Sequence, residues 1–200
     1  MPMIHSRGRK ALAALAVLGG VLLAQQASAA CRIQTSGFTA QDVTMDMGQI
    51  VILPSTPVGG VIKEISVAIN QQNSVARCDW SGGRSIGEYV NAAQKRPVAG
   101  FSNVYETDVA GVGIRLFRDS GAIQTYYPHS INFNGNATIS LIGGQFRIQL
   151  IKTAAQTGSG IIAPNGRFTT YYFDGDSASR PVLTSTFKGS GTTVVSPTCE

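Results

Sequence analysis

The sequence predicts an all-β chain folded as an antiparallel β-sandwich. Three observations carry that expectation. Apolar and polar residues alternate with a period of two from residue 43 onward, clusters of Gly, Pro, Asn and Asp separate the alternating runs, and helical periodicity is almost absent.

The first segment, residues 1–29, is not part of that domain. Arg7, Arg9 and Lys10 make a positive n-region, Ala11–Ala24 is an apolar run broken by Gly19 and Gly20, and Ala27-Ser28-Ala29 offers the small-x-small cleavage site of an export signal. The run is too short for a bilayer core of ~30 Å, which takes ~20 apolar residues. Ser28 stands three before Cys31, where a lipoprotein box carries a large aliphatic residue, so lipidation of Cys31 is not expected. Cleavage would leave Cys31 one or two residues from the mature N-terminus.

Residues 30–195 form the expected domain. Val61–Ile69 places Ile65, Val67 and Ile69 on one face, and Val112, Ile114 and Leu116 alternate with Gly113, Arg115 and Phe117. Phe146, Ile148 and Leu150 alternate with Arg147, Gln149 and Ile151; Thr169, Tyr171 and Phe173 share a face, as do Val182, Thr184 and Thr186. These β-branched and aromatic runs have the character of half-buried strands. Pro54-Ser55-Thr56-Pro57, Ser81-Gly82-Gly83, Asn134-Gly135-Asn136, Gly143-Gly144, Pro164-Asn165-Gly166 and Asp174-Gly175-Asp176 supply turns. Asn165-Gly166 predicts a hairpin between Ile161-Ile162 and Phe168-Thr169. Only Glu88–Lys95 reads as helix, one or two turns stopped by Pro97. Gly189–Thr193 reads as a closing turn or the approach to a linker.

Composition narrows the function. The signal holds three of the sixteen basic residues and no acidic one, leaving thirteen positive against eleven negative side chains. No basic stripe with interleaved aromatics is present, so nucleic acid is not an expected partner, and no mature stretch is apolar enough to insert in a membrane. Removing the signal leaves about 170 residues, a length that buries roughly 70% of its unfolded surface without help from a metal. Three cysteines in an exported chain imply an oxidising compartment. Cys31 and Cys78 are the natural pair. Cys199 is then odd, which fits an intermolecular bond, a free thiol or, as the favoured reading, a partner lost to truncation.

The tail Gly191-Thr192-Thr193-Val194-Val195-Ser196-Pro197-Thr198-Cys199-Glu200, the early Cys31, the second Cys78, the segment 144–162 and the β-rich body together resemble the N-terminal receptor-binding, lectin-like domain of two-domain tip adhesins from chaperone–usher fimbriae. The resemblance implies an immunoglobulin-like or jelly-roll-like sandwich, exported through the periplasm to the fimbrial tip. Residues 196–200 would be a linker and the truncated start of a pilin domain, with Cys199 as that domain's first cysteine. A periplasmic chaperone, an usher and the next subunit would be partners through that domain. Ordinary subunits of such fibres lend an extended N-terminal strand to a neighbour. Here at most one residue would precede Cys31, which suits the terminal position and a domain that folds without a chaperone.

Chemistry offers few candidates. His5 falls in the signal, leaving His129 alone in the mature domain, which excludes multi-histidine zinc sites. No Gly-x-Ser-x-Gly elbow accompanies it, and its place after Tyr126-Tyr127-Pro128 reads as a surface loop. Asp174 and Asp176 faintly suggest a calcium loop but lack its later glycine and glutamate, and an ordinary turn is expected there. No catalytic residue, metal or cofactor is expected. Carbohydrate recognition needs an aromatic face and hydrogen-bonding amides or carboxylates. Asp79 and Trp80, just after Cys78, fit that need, as does the cluster Tyr126, Tyr127, Asn132 and Asn134; Tyr171 and Tyr172 form a third aromatic pair. One tyrosine of each adjacent pair should point outward. Trp80 has a competing reading, as a core residue beneath the disulfide. The function expected is attachment through a glycan or protein receptor. A structural adaptor subunit is the alternative, and an exported glycosidase a distant third.

Overall fold

The computed structural model describes residues 29–71, 74–90, 93–163 and 166–196, so the signal-peptide reading, apart from Ala29, and Cys199 lie outside the described residues. In chain order the strands are β1 Cys31–Ile33, β2 Gln41–Met45, β3 Gln49–Val51, β4 Val61–Ala68, β5 Ala76–Cys78, β6 Gly83–Tyr89, β7 Tyr105–Glu106 and β8 Val112–Asp119. They continue with β9 Gln124–Tyr126, β10 His129–Phe133, β11 Thr138–Ile139, β12 Gln145–Lys152, β13 Gly160–Ile162, β14 Arg167–Phe173, β15 Leu183–Phe187 and β16 Thr192–Val195.

Two large sheets face each other. One has the order β10-β6-β14-β15-β2, and the other β4-β12-β8-β7 with β9 added beside β8. Arg118 of β8 lies over the ring of Tyr171 in β14, 4.3 Å from its centroid, and Tyr89 of β6 meets Tyr105 of β7 at 5.1 Å, so side chains from both sheets interlock. Between them are the positions that the period of two selects: Ile114, Leu116, Phe146, Ile148, Leu150, Tyr171 and Phe173, none more than marginally exposed. Each such side chain contributes about 1.5–3 kcal/mol on burial.

Two smaller sheets complete the molecule: β1-β5-β11 at one corner and β13-β16-β3 at one end. The end sheet continues the first large sheet. The neighbours β14, β15 and β2 become β13, β16 and β3 after bends marked by Gly48, Gly166, Gly189 and Gly191, which all adopt positive φ. That backbone region is open to glycine at little cost. The pairs β2–β15 and β3–β16 are parallel, while the other strand pairs are antiparallel. Early strands therefore close onto late ones.

Three local expectations change. Gly83–Tyr89 is strand, so Glu88 does not start a helix; a single 3-10 turn at Ala93–Lys95 remains before Pro97. The pleat of β6, inserted between β10 and β14, overrides the local helical pattern. The strands flanking Asn165-Gly166 do not pair with each other: β13 pairs with β16, and β14 with β6 and β15. Only Gly189-Ser190-Gly191 turns the chain, because Thr192 and Thr193 already belong to β16. In β15 the residues turned to the core are Leu183, Ser185 and Phe187. Thr184 and Thr186 share the opposite face, where both hydroxyls donate to Asp42 Oδ1 at 2.6 and 2.9 Å.

Candidate functional site

The corner sheet builds the site. Cys31 and Cys78 sit opposite each other in the β1–β5 ladder and are joined by a disulfide with S–S of 1.98 Å. Directly after it the chain makes the turn Asp79–Gly82, closed by Gly82 N donating to the Asp79 carbonyl at 3.0 Å. Asp79 is fixed from several directions. Its N–H donates to Ala30 O at 2.9 Å, its carbonyl accepts from Asn136 N at 2.9 Å, and its carboxylate pairs with Arg32 at 3.0 Å. The neighbouring turn Asn134-Gly135-Asn136 lies so close that a Cβ on Gly135 would collide with the Trp80 carbonyl. Trp80 occupies the tip of this braced turn and is 74% exposed. The core reading of Trp80 is thereby corrected: Cys31 and Cys78 are buried while the indole stands in solvent. An indole held this far out on a fixed backbone is preorganised for contact with a partner.

Below the turn lies a polar cleft of about 470 Å³, lined in part by Ser81, Arg84, Asn132 and Asp174. Asn132 and Arg84 face each other across the β10–β6 ladder. Asp174 accepts from Cys31 N at 2.8 Å and Arg84 N at 3.0 Å. Asp176 accepts from Ile33 N at 2.7 Å and Arg180 at 2.9 Å, and Gly175 N donates to Cys31 O at 3.0 Å. The Asp174-Gly175-Asp176 turn is thus a lateral partner for β1, alternating carboxylates with a backbone N–H. Each of the four carboxylate oxygens of Asp174 and Asp176 accepts from an N–H donor, as an ordinary structural turn requires.

Asp79, Trp80, Asn132 and Asn134 come together at this corner; the two asparagines are exposed. Tyr126 and Tyr127 do not join them. Tyr126 is half-buried on β9, its hydroxyl donating to Gln124 Oε1 at 2.6 Å and its ring tilted against Phe117. Tyr127 is 1% exposed and packs edge-on against Phe146 and His129, so its side chain offers no surface to a ligand. Tyr171 is likewise interior while Tyr172 is half-exposed, where burial and the adjacent Glu88 raise its phenol pKa. One tyrosine of each pair faces outward, as the pleat requires.

His129 opens β10 rather than sitting in a surface loop. Its ring lies between Tyr127 and Tyr171, in a space kept free by Gly87, where a Cβ would collide with the imidazole. Nδ1 is 3.0 Å from the Tyr126 carbonyl, which can only accept, so Nδ1 carries the proton of the neutral ring. Burial, reinforced by the charge of Arg118, lowers its pKa to about 4, against the opposing pull of that carbonyl. Among the described residues no group of three or more His, Cys, Asp or Glu side chains could hold a metal ion. The cleft residues Ser81, Arg84 and Asp174 escaped the sequence reading. Asp174 carried a signal, the Asp-Gly-Asp turn, but nothing local marks Arg84.

A β-sandwich that holds an exposed indole and a polar cleft on a disulfide-braced corner has the form of a recognition module. The family model of the MrkD-like receptor binding domain matches residues 43–190, and the chain belongs to that family. It is 33% identical over 162 residues to a fimbria adhesin protein of Klebsiella pneumoniae, a match covering 80% of this chain and 47% of the relative. The chain therefore spans about half the length of that relative. It is also similar to the crystal structure of the receptor binding domain of the plasmid-born adhesin MrkD1P of Klebsiella pneumoniae, with a TM-score of 0.68 and 30% identity over 86% of this chain and 98% of the other.

Proposed function

We propose that this receptor-binding domain belongs to a fimbrial tip adhesin and that its receptor is a glycan, held in the cleft beside the turn that carries Trp80. The observation that carries the glycan reading is the exposed indole on a turn braced by a disulfide, an ion pair and three backbone hydrogen bonds. An indole face stacks on the C–H surface of a sugar. Asn132, Ser81 and Arg84 supply donors and acceptors for its hydroxyls, in the pattern of a few polar groups around a preformed site. Asn134 and Asp79 lie on the two adjoining turns, and Tyr126 would contribute only to a receptor extending onto β9. The domain carries out no catalytic turnover. One shallow site binds weakly, and a fibre presenting many copies compensates through avidity.

In the whole protein, on this reading, residues 1–29 are a cleaved export signal and Cys199 pairs within a following pilin domain. That second domain meets the periplasmic chaperone, the usher and the next subunit, and the assembled protein stands at the fimbrial tip. The Klebsiella relative, about twice as long as the matched region, supports the two-domain reading.

A glycan array probed with the folded domain tests the proposal. A hit that Trp80→Ala and Asn132→Ala each weaken by about tenfold or more, at unchanged melting temperature, supports the cleft. A folded domain that binds no glycan but captures a protein overturns the glycan reading, and one that binds neither points to an adaptor.

A further inference from the structure

A second cleft, of about 310 Å³, opens between the two large sheets on the other side of β10, and Phe133 lines both. Its walls are aliphatic: Ile69, Ile131, Ile139 and Leu141 line the interior, and Ile123 and Ile142, 68% and 54% exposed, form its outer parts. At the inner end are Arg118 and Tyr171, the guanidinium lying over the phenol ring at 4.3 Å.

The polar atoms there are not all accounted for by the fold. Tyr171 is fully buried, and neither its hydroxyl nor Arg118 Nε has a hydrogen-bond partner. Arg118 takes part in no ion pair among the described residues. The nearest carboxylate in sequence, Asp119, lines the same cleft but is already engaged, with Oδ2 3.1 Å from Arg147 Nε and Oδ1 accepting from Gly121 N at 2.8 Å. Buried polar groups normally find partners, and a half-buried guanidinium with no carboxylate paired to it can take an anion.

The geometry points to a binding site for an amphipathic carboxylate: a monoanionic carboxyl group held by Arg118 and the Tyr171 hydroxyl, with an unbranched or branched aliphatic body along the isoleucine walls. A carboxylate suits the planar guanidinium fork. A divalent phosphate would lose far more hydration on entering aliphatic walls. The exposed Ile123 and Ile142 gain cover when the cleft is filled, which explains two large apolar side chains left at one opening.

The test is calorimetric titration of the exported full chain with sodium octanoate, octan-1-ol and a tetrapeptide ending in a free leucine carboxylate, together with methyl chemical shifts of the isoleucines. Octanoate is expected to bind and shift Ile69, Ile131 and Ile139, with octan-1-ol about tenfold or more weaker. Arg118→Gln should weaken octanoate by about tenfold while leaving octan-1-ol unchanged. Tyr171→Phe keeps the ring under Arg118, removes only the hydroxyl and should weaken octanoate about fivefold; it decides the matter if Arg118→Gln fails to fold. Equal affinity for octanoate and octan-1-ol overturns the proposal, as does octanoate binding that a folded Tyr171→Phe variant leaves unchanged. Capture of the peptide without octanoate assigns the cleft to a protein terminus instead and overturns it as well.

Discussion

At the scale of single residues, glycine and histidine make one interlocked unit. Gly87 is required because the imidazole of His129 fills the space a Cβ would take. Gly87→Ala is expected to destabilise the domain by about 1–3 kcal/mol, measured by urea unfolding, since overpacking forces the ring or the strand to move. His129 itself gives the domain a pH dependence. Its pKa is about 4 in the folded chain against 6.5 when free. The unfolded chain therefore binds more protons between those values, and stability is fully present above pH 6.5 and falls as the pH drops towards 4. The loss approaches about 3 kcal/mol for a shift of this size. Unfolding free energies at pH 5 to 7 should show the slope, and His129→Gln should flatten it.

At the scale of the element, β1 is a three-residue strand that cannot hold itself in place. It is bound to β5 on one edge, by ladder and disulfide, and to the Asp174-Gly175-Asp176 turn on the other. The disulfide closes a loop with a sequence separation of 47, and by loop entropy its removal costs about 4 kcal/mol. Cys31→Ser with Cys78→Ser should lower the unfolding free energy by about that amount. Asp174→Ala leaves the N–H groups of Cys31 and Arg84 without their acceptor and should cost about 2–4 kcal/mol. Both changes should also loosen the Trp80 turn, so receptor affinity is expected to fall more than for Trp80-distant substitutions of equal cost.

At the scale of the molecule, the strands of the described domain find their partners within the domain itself, and early strands β2 and β3 seal late strands β15 and β16. A domain so closed needs no donated strand. Residues 31–196, expressed in an oxidising compartment without a fimbrial chaperone, are expected to be monomeric and to unfold in one cooperative step, as read by size exclusion and calorimetry. Aggregation of that segment, rescued by a chaperone, would sink the expectation.

What the sequence by itself determined is local and periodic. The runs at 61–69, 112–117, 146–151 and 169–173 announced strands because a pleat turns every second side chain to the core. Cys31 and Cys78 announced their bond, and adjacent tyrosines announced one inward ring each. Tertiary structure decided whatever depends on partners far along the chain. Asn165-Gly166 has hairpin chemistry, yet its flanking strands found better partners in β16, β6 and β15. Trp80 stands outside at the tip of the turn Asp79–Gly82, which contacts with remote Ala30 and Asn136 hold in place, and Arg84, Asn132 and Asp174 form one cleft only because β6, β10 and the turn after β14 meet there. Alternation is a property of neighbouring residues and survives in any fold. A site is a property of distances between remote residues, and those exist only once the sheets have closed.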